Sequence, residues 1–387
     1  MAALRVGCLA GRRASTSSSH GSGVICGAAL SSALSRQARA LNHLGYQALQ
    51  TRHACFQVFR DVRPLQLQRR DLYRPGYSVG FIPTMGALHE GHLNLIRHAL
   101  RENTHVFVSI FVNPTQFGVN EDLDAYPKTW KEDMEKLELV ERELSSTSAG
   151  RIAGIFAPTV KTMYPTLPPS SEPAGDGSFV TIMPLGKWLE GASRPVFFRG
   201  VATVCTKLFN IVQPDLVYFG QKDVQQSVLI KRLVKDFHFS IQVRVIPTSR
   251  ESDGLAMSSR NVHLGQRRRR DAVVLSQALF AAQAAYNAGE TSARSIRQAA
   301  LDVFKNALKL RDGRMFASCE IEIDYIALSQ AEDMETISDD WHIDPQKGAI
   351  LSAAMRVLPV EQVESEEEED QGFVRLIDNV ILEPRDI

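Results

Sequence analysis

The sequence has few cysteines, and they are widely scattered along the chain. Only five occur in 387 residues, namely Cys8, Cys26, Cys55, Cys205 and Cys319. Their number is odd and no two form a CxxC pair, so neither a disulfide framework nor a cysteine zinc site is indicated. We expect reduced thiols in a reducing compartment, because intracellular proteins rarely keep disulfides.

The sequence also lacks net charge and long hydrophobic runs. Its 44 Lys and Arg residues balance 44 Asp and Glu residues, so no overall field favours nucleic acid as a partner. No run reaches the roughly 18 apolar residues that a membrane-spanning helix needs, and we predict no membrane segment. The hydrophobic fraction of 44% is typical of a globular protein, and the length allows two or three domains.

Acidic residues are absent from the first 60 residues, since Asp61 is the first acid. This segment contains seven arginines, no lysine and the serine-rich stretch GRRASTSSSHGSG. Such a composition is typical of a mitochondrial transit peptide. We predict that residues 1–54 are a disordered targeting segment of a mitochondrial protein, and whether it is cleaved is left open. The alternatives are an untargeted tail on a cytoplasmic protein and a wrongly assigned gene start.

From about residue 76, short apolar segments alternate with segments of helical periodicity. SVGFIP, HVFVSIFV, AGIFAP, LVYFG and IQVRVIPT are predicted strands, and HLNLIRHAL and RGVATVCTKLFNIVQ are predicted helices. HVFVSIFV is almost entirely apolar, as expected of a central parallel strand covered on both faces. Strands separated by helices predict an α/β domain at 55–261 with a Rossmann-like, doubly wound parallel sheet.

The pattern changes after Asn261. A basic run, RRRR, opens an Ala- and Gln-rich helical stretch, and EIEIDYIAL and GAILSAAMRVL are predicted strands. We therefore predict a smaller C-terminal α+β domain at 262–387. The acidic run ESEEEED at 364–370 is predicted to be a solvated surface loop, because like charges repel one another.

Two histidines three residues apart, His89 and His92 of PTMGALHEGH, follow the first of these strands. They do not match the zinc-protease pattern, which needs histidines at i and i+4, and no third ligand with a suitable spacing is nearby. They lie where a helix begins, and the unpaired N–H groups of a helix N-terminus favour phosphate. Gly86 and Gly91 permit close approach of the backbone. We expect a phosphate site here rather than a metal site.

Two later loops carry further groups that suit phosphate. MSSRN at 257–261 offers two hydroxyls and an arginine, whose guanidinium binds phosphate oxygens in a bidentate manner. GQKD at 220–223 offers a mobile positive charge at Lys222 and a carboxylate at Asp223 that could meet Mg²⁺. Ligands of doubly wound sheets bind at the carboxyl ends of the strands, so these loops are expected to form one site.

An HxGH motif after the first strand and a late MSSR loop together resemble the nucleotidylyltransferase superfamily, whose members use them to hold ATP and stabilise the departing pyrophosphate. FIPTMGALHEGHLNLI, VSIFVNPTQF, DLDAYPKT, GQKDVQQ, DGLAMSSRN and RLIDNVIL, in this order, are similar to segments of the pantothenate synthetase (pantoate–β-alanine ligase) family. The resemblance extends from about residue 55 to the C-terminus. It implies an enzyme that condenses (R)-pantoate with β-alanine, using ATP and Mg²⁺, through a pantoyl adenylate. AMP and diphosphate would be released, and the enzyme would be a homodimer.

The resemblance also implies roles for individual residues. The catalytic set would be His92, His89, Lys222 and Arg260. The ATP-binding set would be Met85, Gly86, His89, His92, Gly220, Gln221, Lys222, Asp223, Ser249, Met257, Ser258, Ser259 and Arg260. Pantoate would be held by the amides of Asn113, Gln116 and Gln226, and Gln116 would also recognise β-alanine. Asp223 is the candidate ligand for Mg²⁺.

Some interpretations stay open. Asn113 precedes a proline and is also a good turn residue, and Tyr126 either lines the pocket or covers the core. Gln221 stands where many members of the family have glutamate. Phe197 stands where a histidine is usual, so that position is given no catalytic role. Extra residues near 140–152 and 359–371 are predicted to be surface loops.

Two other functions would use the same fold. Another HxGH nucleotidylyltransferase would make a nucleotide product without an amine acceptor, and the NPTQF and DVQQ segments argue against it. A non-catalytic scaffold of the same fold would be expected to have lost key residues, whereas His92, Gln116, Lys222 and Arg260 are all intact.

Overall fold

The computed structural model describes residues 56–118, 123, 126–148, 150–166, 170, 172, 175–312, 319–360 and 372–385. The predicted targeting segment 1–54 and the acidic run at 364–370 lie outside the described residues. Two sheets organise the described part of the chain, a larger parallel sheet and a smaller antiparallel one.

The larger sheet has six strands in the spatial order β1-β4-β3-β2-β5-β6, and all of its pairings are parallel. The strands are Val58–Phe59 (β1), Val79–Thr84 (β2), His105–Ile110 (β3), Arg151–Phe156 (β4), Leu216–Gly220 (β5) and Gln242–Ile246 (β6). From β2 the chain adds β3 and β4 on one side, and later adds β5 and β6 on the other. This arrangement confirms the predicted doubly wound α/β class, and a ligand is expected at the carboxyl ends of the strands beside β2.

Helices alternate with these strands along the chain. They are Val62–Asp71 (α1), Glu90–Glu102 (α2), Trp130–Leu144 (α3), Val160–Met163 (α4), Glu190–Ser193 (α5), Phe197–Val212 (α6) and Val224–Asp236 (α7). Neighbouring residues of a strand point to opposite faces. Phe81 accordingly packs in one core cluster with Leu208 of α6, while Ile82 packs in another with Ile96 of α2.

The smaller sheet is antiparallel, in the order β7-β8-β9, and has its own apolar cluster. The elements of this region are the helices Gly265–Asp271 (α8), Val274–Asn287 (α9) and Ala293–Asp312 (α10), and the strands Ile321–Ser329 (β7), Ala349–Val357 (β8) and Val374–Leu382 (β9). The smaller α+β region was predicted, but its third strand, β9, was not. The boundary at residue 261 stays a prediction.

The prediction of a surface loop near 140–152 is wrong at both of its ends. α3 continues to Leu144, and β4 already begins at Arg151. The apolar stripe of α3 explains the longer helix, because Leu137, Val140 and Leu144 follow the helical period and are all buried. No helix among the described residues is long and apolar enough to cross a membrane.

Candidate active site

A cavity of about 1000 Å³ opens at the carboxyl ends of β2, β3 and β5, and the smaller sheet contributes Val374 and Arg375 to its wall. The sequence-predicted residues that line it are Met85, His89, His92, Asn113, Gln116, Lys222, Asp223, Gln226, Ser258, Ser259 and Arg260. The structure therefore brings the HxGH, NPTQF, QKD and MSSR segments together. The predicted site residues that are not part of this lining are Gly86, Gly220, Gln221, Ser249 and Met257.

The two histidines are held by the first turn of α2. His89 is the N-cap, and its Nδ1 accepts a hydrogen bond of 3.2 Å from the backbone N–H of Gly91. His92 Nδ1 accepts one of 3.4 Å from the backbone N–H of His89, and the two rings lie 4.1 Å apart. A neutral imidazole that accepts at Nδ1 carries its proton on Nε2. Both rings can therefore offer an Nε2–H donor to a ligand in the cavity.

These histidines are neutral at physiological pH. Burial lowers the pKa of His89 to about 4, with the nearby charge of Lys222 acting in the same direction. Burial, together with the neighbouring His89, lowers the pKa of His92 to about 3. Each ring then donates a hydrogen bond without adding a fixed charge, which suits an oxygen whose negative charge changes during a reaction.

The loop before the histidines is supported by Asp133 of α3, which was not identified from the sequence. Its Oδ1 accepts a hydrogen bond of 2.7 Å from Leu88 N–H, and its Oδ2 accepts one of 3.0 Å from Ala87 N–H. Gly86 adopts its positive φ of 88° freely, but Ala87 is strained at a φ of 49°, so this loop needs such support.

A signal for Asp133 was present in the sequence. It precedes Leu137, Val140 and Leu144 at helical spacing, and so belongs to the buried stripe of α3. A carboxylate on such a stripe is costly unless it is bound. Only 1% of Asp133 is exposed, and two backbone N–H groups satisfy its oxygens.

The side chain of Asn113 contacts Gln116, and both ends of its amide form hydrogen bonds with protein groups. Its Nδ2 donates to Gln116 Oε1 at 3.1 Å and to Gly200 O at 3.2 Å. Its Oδ1 accepts hydrogen bonds from the Tyr164 hydroxyl at 2.7 Å and the Thr115 hydroxyl at 3.0 Å. A direct contact between Asn113 and pantoate stays a prediction, whereas its support of Gln116 is visible.

This arrangement sets which end of the Gln116 amide faces the cavity. Oε1 is held by Asn113, and Nε2 donates one hydrogen bond of 3.0 Å to the Met85 sulfur, which leaves the second N–H of the amide for a ligand. The close packing of α6 requires a glycine, because a Cβ at Gly200 would lie 2.5 Å from the backbone of Gln116. The cavity therefore presents a rigid N–H donor, which suits a hydroxyl or carboxylate oxygen.

Cationic side chains also line the cavity. Lys222 Nζ lies 3.4 Å from Asp223 Oδ2, and Arg194 and Arg260 line the same cavity. Burial opposes ionisation of Asp223, but the charges of Lys222 and Arg260 outweigh it and lower the pKa of the carboxyl. Arg194 was not identified from the sequence, and its guanidinium lies 4.0 Å over the ring of Phe197. Phe197 thus packs against a cation of the site.

Asp223 is the only predicted metal ligand, and it fits a limited role. Among the residues that the structure describes, no group of three or more His, Cys, Asp or Glu side chains could hold a metal ion. Mg²⁺ often binds one or two carboxylates together with substrate phosphates and water. An ionised Asp223 facing the cavity fits one ligand of that kind.

The remaining predicted residues support or border the cavity. Ser249 O accepts a hydrogen bond of 2.9 Å from Met257 N–H, and its hydroxyl accepts one of 3.3 Å from Asn94 of α2. Ser249 therefore connects the MSSR loop to α2, the helix that begins at the two histidines. Tyr126 lines the cavity with its ring edge-on to Phe117, and burial raises the pKa of its hydroxyl to about 12.

Known proteins with similar sequences share one description. The family model for pantoate–β-alanine ligase matches residues 57–381, which include every predicted site residue. The pantothenate synthetase of Moorella thermoacetica is 44% identical over 311 residues, 80% of this chain and 93% of that protein. The pantothenate synthetase of Roseiflexus castenholzii is 42% identical over 306 residues, 79% of this chain and 93% of that protein.

Solved structures agree with these sequence matches. The pantothenate synthetase of Thermus thermophilus has a TM-score of 0.64 at 36% identity, over 85% of this chain and 100% of that one. The pantoate–β-alanine ligase of Francisella tularensis, complexed with beta-gamma ATP and β-alanine, has a TM-score of 0.58 at 27% identity. That alignment covers 85% of this chain and 98% of the other.

Proposed function

Since the chain belongs to the pantoate–β-alanine ligase family and joins pantoate to β-alanine with ATP, we propose that it does so in the cavity described above, through a pantoyl adenylate. The observation that carries this proposal is the convergence of two kinds of group on one cavity. Neutral histidines and cations suit a polyphosphate, and the amides of Gln116 and Gln226 suit a hydroxy acid.

In the first step, a pantoate carboxylate oxygen attacks the α-phosphorus of ATP. The bond between the α- and β-phosphates breaks, and pyrophosphate leaves with the bonding electrons. Catalysis of such a transfer consists mainly of positioning and of stabilising the charge that develops. His89 and His92 would donate Nε2–H groups to phosphate oxygens, while Lys222 and Arg260 would neutralise the departing pyrophosphate.

In the second step, the amine of β-alanine attacks the acyl carbon of the adenylate. A C–N bond forms, the bond from the acyl carbon to the phosphate oxygen breaks, AMP leaves, and the nitrogen loses a proton. The Nε2–H of Gln116 faces the cavity and would bind an oxygen of each substrate in turn. An amide suits this role because it adds no charge that would quench the attacking carboxylate.

Exchange of labelled pyrophosphate into ATP tests the proposal directly. The full chain would be incubated with Mg·ATP and labelled pyrophosphate, with and without pantoate, in the absence of β-alanine. We expect exchange only when pantoate is present. AMP release that requires β-alanine, without prior exchange, would instead indicate a concerted reaction at the same site.

Two other results would favour the competing functions. Exchange that ignores pantoate but responds to a phosphate-bearing acceptor would indicate another nucleotidylyltransferase. If folded protein neither exchanges pyrophosphate nor releases AMP, the motifs serve a non-catalytic scaffold.

Mg²⁺, a homodimer and mitochondrial import belong to the same proposal. Asp223 would supply one ligand to the metal ion of Mg·ATP, with phosphate oxygens and water as the others. A homodimer follows from the family resemblance, and light scattering on the purified chain tests it. Import follows from the composition of residues 1–54, and a fluorescent protein fused behind that segment would be expected in mitochondria.

The histidines lead to a prediction about pH. Their pKa values of about 4 and about 3 lie below the ordinary value of 6.5, so the unfolded chain binds more protons than the folded one as pH falls below 6.5. The free energy of unfolding is therefore highest above pH 6.5. It falls as pH falls towards 4, by at most about 1.4 kcal/mol per pH unit for each histidine. The exchange rate should show no titration near pH 6.5.

Urea unfolding at pH 7, 6 and 5, together with the pH dependence of exchange, measures both effects. His92→Ala serves as the control, because it removes one of the two histidines and should make the fall in unfolding free energy shallower. An inflection of the exchange rate between pH 6 and 7, absent from His92→Ala, would contradict neutral rings in the folded protein.

A second prediction concerns the hydrogen bond from Asn113 Nδ2 to Gln116 Oε1, which is called the amide relay below. In Asn113→Asp, the carboxylate cannot donate to Gln116 Oε1, so the Gln116 amide is expected to turn and present Oε1 to the cavity. A lost bond to a charged oxygen is worth about 1.5–3 kcal/mol, or roughly a 10- to 150-fold rise in the KM for pantoate. The KM for ATP should stay within about threefold.

Steady-state kinetics with each substrate varied in turn would measure this change. Tyr164→Phe is the matched control, because it removes one hydrogen bond to Asn113 Oδ1 and leaves that of Thr115 in place. It should raise the KM for pantoate only a few-fold. An Asn113→Asp variant with the wild-type KM for pantoate would refute the relay.

A further inference from the structure

The two loops with cationic side chains for phosphate come from different strands of the parallel sheet. Lys222 lies on the turn that follows β5, whereas Arg260 lies on the MSSR loop beyond β6. Both loops contact β9, the last strand of the smaller antiparallel sheet. Two adjacent residues of β9, Asp378 and Asn379, make these contacts.

Asn379 is bound to the backbone of the Lys222 turn. Its Nδ2 donates to the carbonyl oxygens of Gln221 and Lys222, each at 2.9 Å. Its Oδ1 accepts a hydrogen bond of 3.2 Å from Gln221 Nε2. Only 1% of Asn379 is exposed, so these bonds are shielded from water and neither carbonyl can easily exchange its partner for solvent.

Asp378 is bound to the base of the other loop. Its carboxylate accepts two hydrogen bonds from the Arg250 guanidinium, at 2.6 and 3.0 Å, and it is 3% exposed. Arg250 also donates to Gly254 O at 3.0 Å and pairs with Ala256 in an isolated bridge. Asp378 therefore holds the start of the DGLAMSSRN loop through one arginine.

A separate contact anchors β9 itself to the larger part of the molecule. Arg375 donates to both carboxylate oxygens of Glu190 at 2.7 Å, and the Tyr325 hydroxyl donates to Glu190 at 2.8 Å. Asp324 accepts a further bond of 2.6 Å from Arg375. Because β9 is fixed at this end, Asp378 and Asn379 act on the loops from a rigid strand.

We propose that Asp378 and Asn379 are positioning residues for the first half-reaction, because they set the distance between Lys222 and Arg260. This inference rests on the proposed function, in which both cations stabilise the departing pyrophosphate. Neither β9 residue needs to touch the substrate. A displacement of a catalytic group by about 1 Å can cost roughly 100-fold in rate.

The test compares the two half-reactions in Asn379→Asp and Asp378→Asn. Asn379→Asp keeps the size of the side chain but loses both donors to the Lys222 turn. Asp378→Asn keeps the shape but loses the charge that holds Arg250. Each variant is expected to lower the maximal rate of pantoate-dependent pyrophosphate exchange roughly 10- to 100-fold. The KM for pantoate should change less than about threefold.

The second half-reaction is the readout that separates positioning from general damage. Synthetic pantoyl adenylate and β-alanine would be supplied directly, so no pyrophosphate has to leave. Both variants should then release AMP within about threefold of the wild-type rate. Equal losses in both halves would show that the strand only maintains the fold, and would overturn the proposal.

Ser352→Ala is the matched control. Ser352 is the residue of β8 that pairs with Asn379, it is buried, and its hydroxyl has no hydrogen-bond partner among the described residues. This variant should exchange pyrophosphate at the wild-type rate. Wild-type protein without exchange would refute the proposed function itself. Exchange by Asn379→Asp and Asp378→Asn at the wild-type rate would refute only the role of β9.

Discussion

Replacing His92 with alanine is expected to slow formation of pantoyl adenylate by roughly 30- to 1000-fold, or about 2–4 kcal/mol, while ATP binding changes little. The ring is half-buried and neutral, and its Nδ1 is held by the backbone of the same helical turn. The Nε2–H donor is therefore fixed before the reaction begins. Such a donor contributes most where charge develops, which is in the transition state rather than in bound ATP.

Single-turnover formation of the adenylate, followed by rapid quenching, would measure this loss, and equilibrium binding would report the affinity for ATP. His98→Ala is the control on the same helix, because the His98 ring lies 2.9 Å from the carbonyl oxygen of Asn94 in its own helix and is not part of the cavity lining. It should react at the wild-type rate. An unchanged single-turnover rate in His92→Ala would remove the histidine from the proposed chemistry.

Local pattern is enough to place the two histidines at the junction between a strand and a helix. A strand followed by a helix fixes where the helix N-terminus lies, and doubly wound topology brings the ends of β2, β3 and β5 to one edge. The residues that touch the cavity directly, such as His89, Gln116 and Lys222, lie on segments of this kind. Their roles are implied by the family resemblance, and the geometry is compatible with those roles.

The supporting residues could not be found in the same way, because their partners are distant in sequence. Asn379 binds a turn that lies 158 residues earlier, and Asp133 binds a loop 46 residues earlier. Of these supporting residues, only Asp133 could be recognised from the sequence, because it is an acidic residue on the apolar stripe of a helix. β9 was not predicted, because two buried polar residues, Asp378 and Asn379, interrupt the apolar pattern in the middle of the strand.

Lys222→Met is expected to lower the adenylation rate roughly 100- to 1000-fold, since it removes a positive charge that faces the departing pyrophosphate. Methionine keeps much of the length and the apolar stem, so packing around the turn should be preserved. The Lys222 turn is held through its backbone by Asn379, and that contact does not depend on the side chain that is changed. The loss should therefore report charge rather than loop position.

A second consequence separates this variant from a loss of folding. Lys222 lowers the pKa of both His89 and Asp223, so its removal should raise both values. The pH below which the remaining pyrophosphate exchange rate falls would then be higher in the variant. NMR titration of the His89 ring would likewise show a higher pKa. Lys231→Met, at an exposed position of α7 in the same segment, should change neither the rate nor the titration. If Lys222→Met keeps the wild-type rate, the charge that stabilises pyrophosphate must come from other cations of the cavity, such as Arg194 and Arg260.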